Sequence, residues 1–304
     1  MKAIARGWLS LLVATLSALS SAANAVPASL PCTQSRERIP PRQTSAPSGS
    51  KFAWRVGSMD ERARDAAIRS ELLAGNLPSF LRTLVPIDLL GPTIAGVAAR
   101  VTLCVLPDYL SIGSDRDFLL IPVSLDSALA VADAFGFALP TRKIVDAIFA
   151  QAAVRLSPQP LPASDQMRSM DYYVLHNEIV QAQRASADAP LEALTAGHKK
   201  DLVITKRLWT TPGRVAIYGW HRGLEEPIQP LSTFHGARYA DYSHGVRLVS
   251  TVAYVNGEPR SLFELMQDAR FAATLSDEGA YSHLPEALRA LAAGGAGALT
   301  LLQR

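Results

Sequence analysis

Between Lys51 and Leu284 the sequence contains no stretch of linker composition, and that continuity constrains the fold more than any other feature. About 230 uninterrupted residues bury a substantial core within one folding unit. The flanks differ in kind. Residues 26–50 are rich in Pro, Ser, Thr, Gln and Arg, with Pro40-Pro41 and Ser48-Gly49-Ser50, which is the composition of a linker. Residues 285–304 carry an Ala/Gly-rich run from Ala292 to Ala298 and read as a tail. No internal repeat at a period of roughly 20–50 residues is visible.

Within 51–284 both structural periodicities occur. Asp60 is placed to cap a helix that Gly75-Asn76 stops. Ser124 and Thr141 cap two more, reaching Phe135 and Ala153, and a fourth helix spans 171–184. Strands are expected at 97–106, 118–123, 201–205, 214–220 and 246–255, with Asn256-Gly257 as a hairpin turn and Ser261 capping a final helix. The pattern predicts a single α+β domain. Its sheet, mixed or antiparallel, comes mainly from the C-terminal half, and the helices pack on it.

Residues 1–25 read as an export signal. Lys2 and Arg6 precede the apolar run Trp8–Leu16, and Ala23-Asn24-Ala25 supplies a small-residue cleavage site before Val26. The expected location of the mature chain is therefore periplasmic or secreted. No later segment reaches the roughly 18 uninterrupted apolar residues of a membrane span. Leu84 to Leu106 comes nearest, and Pro86, Asp88, Pro92 and Arg100 interrupt it. Of 30 bases and 27 acids, the leader takes two bases, leaving 28 against 27. So even a balance provides no field for nucleic acid or an anionic surface. Cys32 and Cys104, the only cysteines, both fall in the mature chain, where oxidation is permitted and a bridge between arm and body is expected.

Histidines are the most uneven feature. Of six, five lie between His176 and His244, the others being His198, His221 and His235. Trp209, Tyr218, Trp220, Phe234, Tyr239, Tyr242 and Tyr254 crowd the same region, where an ordinary core would prefer Leu, Ile and Val. His221 ends a strand; His235, Asp241 and His244 share the loop before the next. These four suit a tetrahedral divalent metal such as zinc. They suit equally a metal-free acid–base site in which His221, His244 or His198 moves protons, Asp241 orients the imidazole and Tyr242 acts as acid. Lys199, Lys200 and Arg247 would neutralise negative charge, and Tyr218, Trp220 and Tyr239 would contact substrate. A third cluster, Asp108, Asp115 and Asp117, has the look of turn-forming aspartates.

Several chemistries lack their motif. There is no G-x-S-x-G, no H-E-x-x-H, no Walker loop and no dinucleotide glycine pattern, so nucleotide and flavin cofactors are not expected. The reading that remains is an exported hydrolase of an envelope or extracellular polymer: a glycan, peptidoglycan or an ester. Two others stay open, a polysaccharide lyase using the same His and Tyr, and a non-catalytic carbohydrate-binding module.

Overall fold

The computed structural model describes Cys32 and residues 38–293. The expected signal segment lies outside them. In chain order the elements begin with helices α1 (Gly49–Val56) and α2 (Glu61–Leu73), followed by strands β1 (Val85–Ile94), β2 (Val97–Val105), β3 (Ser111–Ser114) and β4 (Asp117–Leu120). Then come α3 (Leu125–Phe135), β5 (Phe137–Ala138), α4 (Arg142–Gln151), β6 (Val154–Arg155), α5 (Met170–Ala187), β7 (Thr195–Ala196) and β8 (Lys200–Leu202). The last group is α6 (Arg207–Thr210), β9 (Ile217–His221), β10 (Pro227–Ser232), β11 (His244–Gly245), β12 (Val249–Val255), β13 (Glu258–Ser261), α7 (Leu262–Gln267), α8 (Ala269–Leu275) and α9 (Leu284–Ala292).

The fold is α+β, as the mixed periodicity predicts. The side chains of Asp60, Ser124, Thr141 and Ser261 each accept the amide of the residue three positions on, so every cap expected from the sequence forms. Gly75, at φ +79°, follows α2.

Strands divide between two main sheets. The first has the order β1-β2-β12-β13, with β5 also paired to β12, and all its pairings are antiparallel. Two tight turns fix its hairpins: Ala95-Gly96 (φ +49°, +82°) and Asn256-Gly257 (φ +52°, +90°) both have the double left-handed backbone that matches strand twist. β1 was hidden in the sequence by Pro86 and Pro92. It is an edge strand, where an absent N–H costs no ladder bond. The second sheet has the order β10-β9-β8-β11. It comes wholly from the C-terminal half, whereas β1, β2 and β5 of the first come from the other half. Most strands of the two sheets thus come from the C-terminal half, as expected.

Both flanks contribute to the folded unit. Ile39 is buried, Arg42 Nε donates to Asn76 Oδ1 at 2.9 Å, and Cys32 is bonded to Cys104 within β2. Composition suggested a linker here because the anchoring is done by a few separated side chains. At the other end α9 buries Leu284, Ala287 and Leu291, so the packed chain extends beyond the expected boundary at 284. Among the described residues no helix is long and apolar enough to cross a membrane.

The sheets are stitched together by the segment between β11 and β12. Leu110 N–H donates to Val246 C=O at 2.8 Å, and Leu106 N–H donates to Leu248 C=O at 3.0 Å. Val246, Leu248 and Val249 are fully buried there. This seam presses β11 against the edge of β8 and sets the position of the histidine loop.

Candidate functional site

β11 is two residues long and runs parallel to β8, pairing His244 with Lys200 and Gly245 with Asp201. A turn leads into it. His244 N–H donates to the Asp241 carbonyl at 3.0 Å, and Asp241 Oδ1 accepts from the Ser243 amide at 2.8 Å and from the Ser243 hydroxyl. Gly245 is required by close approach, since a Cβ would stand 2.6 Å from the Tyr109 ring and 2.8 Å from Lys199 Cβ.

This turn brings His244 Nε2 to 3.8 Å from Asp241 Oδ2, with both residues buried. Neither His244 ring nitrogen has a hydrogen-bond partner among the described residues. Burial lowers the imidazole to about 4, partly countered by Asp241 and reinforced by Lys200, His235 and Lys199. At neutral pH it is the uncharged, proton-accepting form. Burial acts to raise the Asp241 carboxyl, but His244, the Ser243 hydroxyl, Lys200 and the Ser243 amide together hold it below its ordinary value. Lys199, also buried and donating to the Tyr242 carbonyl, is drawn down to about 7 by burial. Lys200 is only partly buried and sits with its ammonium 4.9 Å from the Trp220 ring centroid.

A layer of rings covers His244. His235 stacks on Tyr239 with centroids 3.9 Å apart and planes within 6°, and the two rings lie 6.3 and 5.7 Å from that of His244. The Phe234 ring meets His235 edge-on at 5.3 Å and is 76% exposed. The Arg168 guanidinium lies 5.8 Å from the Tyr239 centroid. His235 and Tyr239 are half-buried, so this layer separates the Asp241–His244 pair from solvent.

The other residues read from the sequence go elsewhere. His221 faces α4, with Nε2 3.0 Å from Asp146 Oδ1 and its ring stacked on Phe149 at 4.6 Å. Tyr218 donates to the same carboxylate oxygen at 2.8 Å. His198 is 3.1 Å from the buried Asp108, which also pairs with Arg184. Arg247 is fully buried, donates to the carbonyls of Leu106 (2.9 Å) and Thr195 (2.6 Å), and lies 4.3 Å from the Tyr109 ring centroid. His198, Arg247 and Asp108 thus brace the interior. Tyr218, Trp220 and Tyr242 are all buried rather than presented as surface platforms. Asp115 and Asp117 are the expected turn residues, fixing Ser79 and Ser50.

Among the described residues no group of three or more His, Cys, Asp or Glu side chains is arranged to hold a metal. His221 is partnered by Asp146, whereas His235, Asp241 and His244 lie close to one another. β9 and β12 lie in different sheets, because β12 pairs with β2, β5 and β13 in the first sheet.

Two features of the site carried little sequence signal. His176, on α5, is fully buried with its ring 5.0 Å from that of Tyr242 and neither nitrogen bonded among the described residues. Trp220, directly after Gly219 (φ +104°), has φ +56°, a conformation that bulky residues rarely occupy and that clusters at functional sites. The chain matches no family model, and no curated protein or solved structure is similar to it.

Proposed function

We propose that the protein is an exported hydrolase of an envelope or extracellular polymer, with His244 as its general base. One observation carries this reading: a buried imidazole with neither nitrogen hydrogen-bonded among the described residues stands 3.8 Å from a carboxylate and in register with a lysine. In the proposed reaction His244 takes a proton from a water molecule, whose oxygen attacks the substrate carbon. Asp241 stabilises the imidazolium that results, and Lys200 faces the negative charge that develops. The proton then passes from His244 to the leaving oxygen. The His235–Tyr239 layer covers this pair, so the proposed reaction requires that layer to move aside for water and substrate. Export is supported by the leader-like residues 1–25, with cleavage expected near Ala25-Val26, and by the Cys32–Cys104 disulfide.

The test is incubation of the mature chain with peptidoglycan, acidic and neutral polysaccharides, and aryl esters, reading products by mass. Hydrolysis adds one water per cleavage, whereas elimination adds none and would transfer the site to a lyase. His244→Gln should lower the rate by at least about 100-fold. Equal rates in both proteins, or no product from any substrate, overturn the reading.

A further inference from the structure

Beside the Asp241–His244 pair lies a surface with two complementary parts. One is a ridge of rings. Phe234 exposes three quarters of its surface, abuts His235 at 5.3 Å, and His235 is stacked on Tyr239. Such a ridge presents aromatic faces of the size that the C–H face of a sugar ring covers. The other part is charge. Arg214 Nη1 is held at the ridge by its bond to the Phe234 carbonyl at 2.6 Å, and Arg168 lies against Tyr239 while pairing with Glu61 at 3.0 Å. Lys200 is the exception to this pairing. Its ammonium has no hydrogen bond or ion pair among the described residues, and it rests against the Trp220 ring next to His244. The Asp241 carboxylate acts on it through space but makes no direct ion pair with it, so the ammonium still has its hydrogen-bond donors to offer an anionic ligand.

We infer that this surface is a subsite for an acidic glycan, in which a carboxylate-bearing sugar places its carboxylate on Lys200 and a neighbouring ring stacks on Phe234. The inference rests on the hydrolase reading for its orientation, because the ridge leads toward His244: the His235 centroid is 5.3 Å from Phe234 and 6.3 Å from His244. The required ligand is a pyranose chain with one negative charge near the cleaved bond. Two sources share that chemistry, sugars with the carboxylate on the ring and sugars that carry it on an ether side chain.

Binding is measured by calorimetry in the His244→Gln background, so that no turnover intervenes. The probes are a uronate oligomer, peptide-free peptidoglycan strands and a neutral glucan oligomer of matched length. One of the two acidic probes should bind at least about tenfold more tightly than the glucan, and which one it is identifies the source. Adding Phe234→Ala should weaken that ligand and the glucan alike, by roughly tenfold. Adding Lys200→Met should weaken only the acidic ligand and abolish the preference. Phe234 is exposed, and circular dichroism checks that its variant is folded. Equal binding of acidic and neutral probes, or unchanged binding on loss of Phe234, overturns the inference. Selective binding without hydrolysis by the unmodified protein overturns the hydrolase reading alone.

Discussion

His244 stands directly opposite Lys200 on a parallel ladder only two residues long, although 43 positions separate them in the chain. The pairing puts a cation beside the imidazole and contributes, after burial, to holding it in the neutral form. Parallel pairing is what makes the two meet, since it aligns the start of β11 with the start of β8.

Replacing Lys200 by Met should therefore raise the His244 pKa above its present value of about 4. The shift is read from the histidine ring resonances in a pH titration, independently of any activity. If the protein turns over substrate, the acid limb of its rate profile moves to higher pH in the same variant. An unchanged titration would show that Lys200 is too far away to influence His244.

Stability should fall as pH drops below about 6.5. His176, His198 and His244 are all lowered by burial, so the unfolded chain takes up protons that the folded chain refuses. For His244 alone, from 6.5 to about 4, the loss amounts to about 3 kcal/mol. Asp201 opposes it. Burial raises its carboxyl to about 6, so its contribution is present at low pH and lost as pH rises through that value. Four histidines lowered by burial, His235 included, against the raised carboxyls of Asp126 and Asp201 leave the acid side less stable. His176→Phe should flatten the slope measured by urea unfolding while changing stability at pH 7 by less than about 1.5 kcal/mol.

The parts of this fold that local chemistry specifies were legible in the sequence. Asp60, Ser124, Thr141 and Ser261 each announce a helix, Asn256-Gly257 announces a hairpin, and Cys32 and Cys104 are the only possible pair. The site was legible as a region but not as an arrangement. His221 and His244 look equivalent in the chain. Gly219 and Trp220 turn the backbone into the left-handed region just before His221, which comes to rest on Asp146 of α4. β11 has no sequence signature because its two residues are held by the seam through Val246 and Leu248. Tyr218 and Trp220 read as substrate-contacting residues because composition does not tell a ring at a surface from a ring that lines a buried polar cluster.

Breaking the Cys32–Cys104 bond should lower the melting temperature substantially. The two residues are 72 apart in sequence, and a loop of that size contributes about 4 kcal/mol by constraining the unfolded chain. Thermal unfolding of the Cys32→Ala/Cys104→Ala double variant measures it. Both cysteines are buried in the main core, so part of the loss is packing. Unfolding the parent protein with and without reductant separates the two contributions.

Gly245 is the most direct test of how the site is held. Its backbone φ is unexceptional, so conformational freedom is not what requires glycine there. Space is. A methyl group would lie 2.6 Å from Tyr109 Cδ1 and 2.8 Å from Lys199 Cβ, and neither neighbour can yield freely. Tyr109 is fixed by its hydroxyl on Asp201 Oδ2 at 2.8 Å and by Arg247 over its ring, and Lys199 is fixed by the Tyr242 carbonyl. Gly245→Ala should therefore push β11 away from β8, lengthening the Lys200-to-Ser243 backbone bond that now measures 2.7 Å. The expected cost is about 1–3 kcal/mol of stability. His244 moves with β11, so its ring resonances should shift and any activity should fall more than stability at the assay temperature explains. A stable Gly245→Ala protein with unperturbed His244 resonances would mean that β11 is not the element that positions the imidazole.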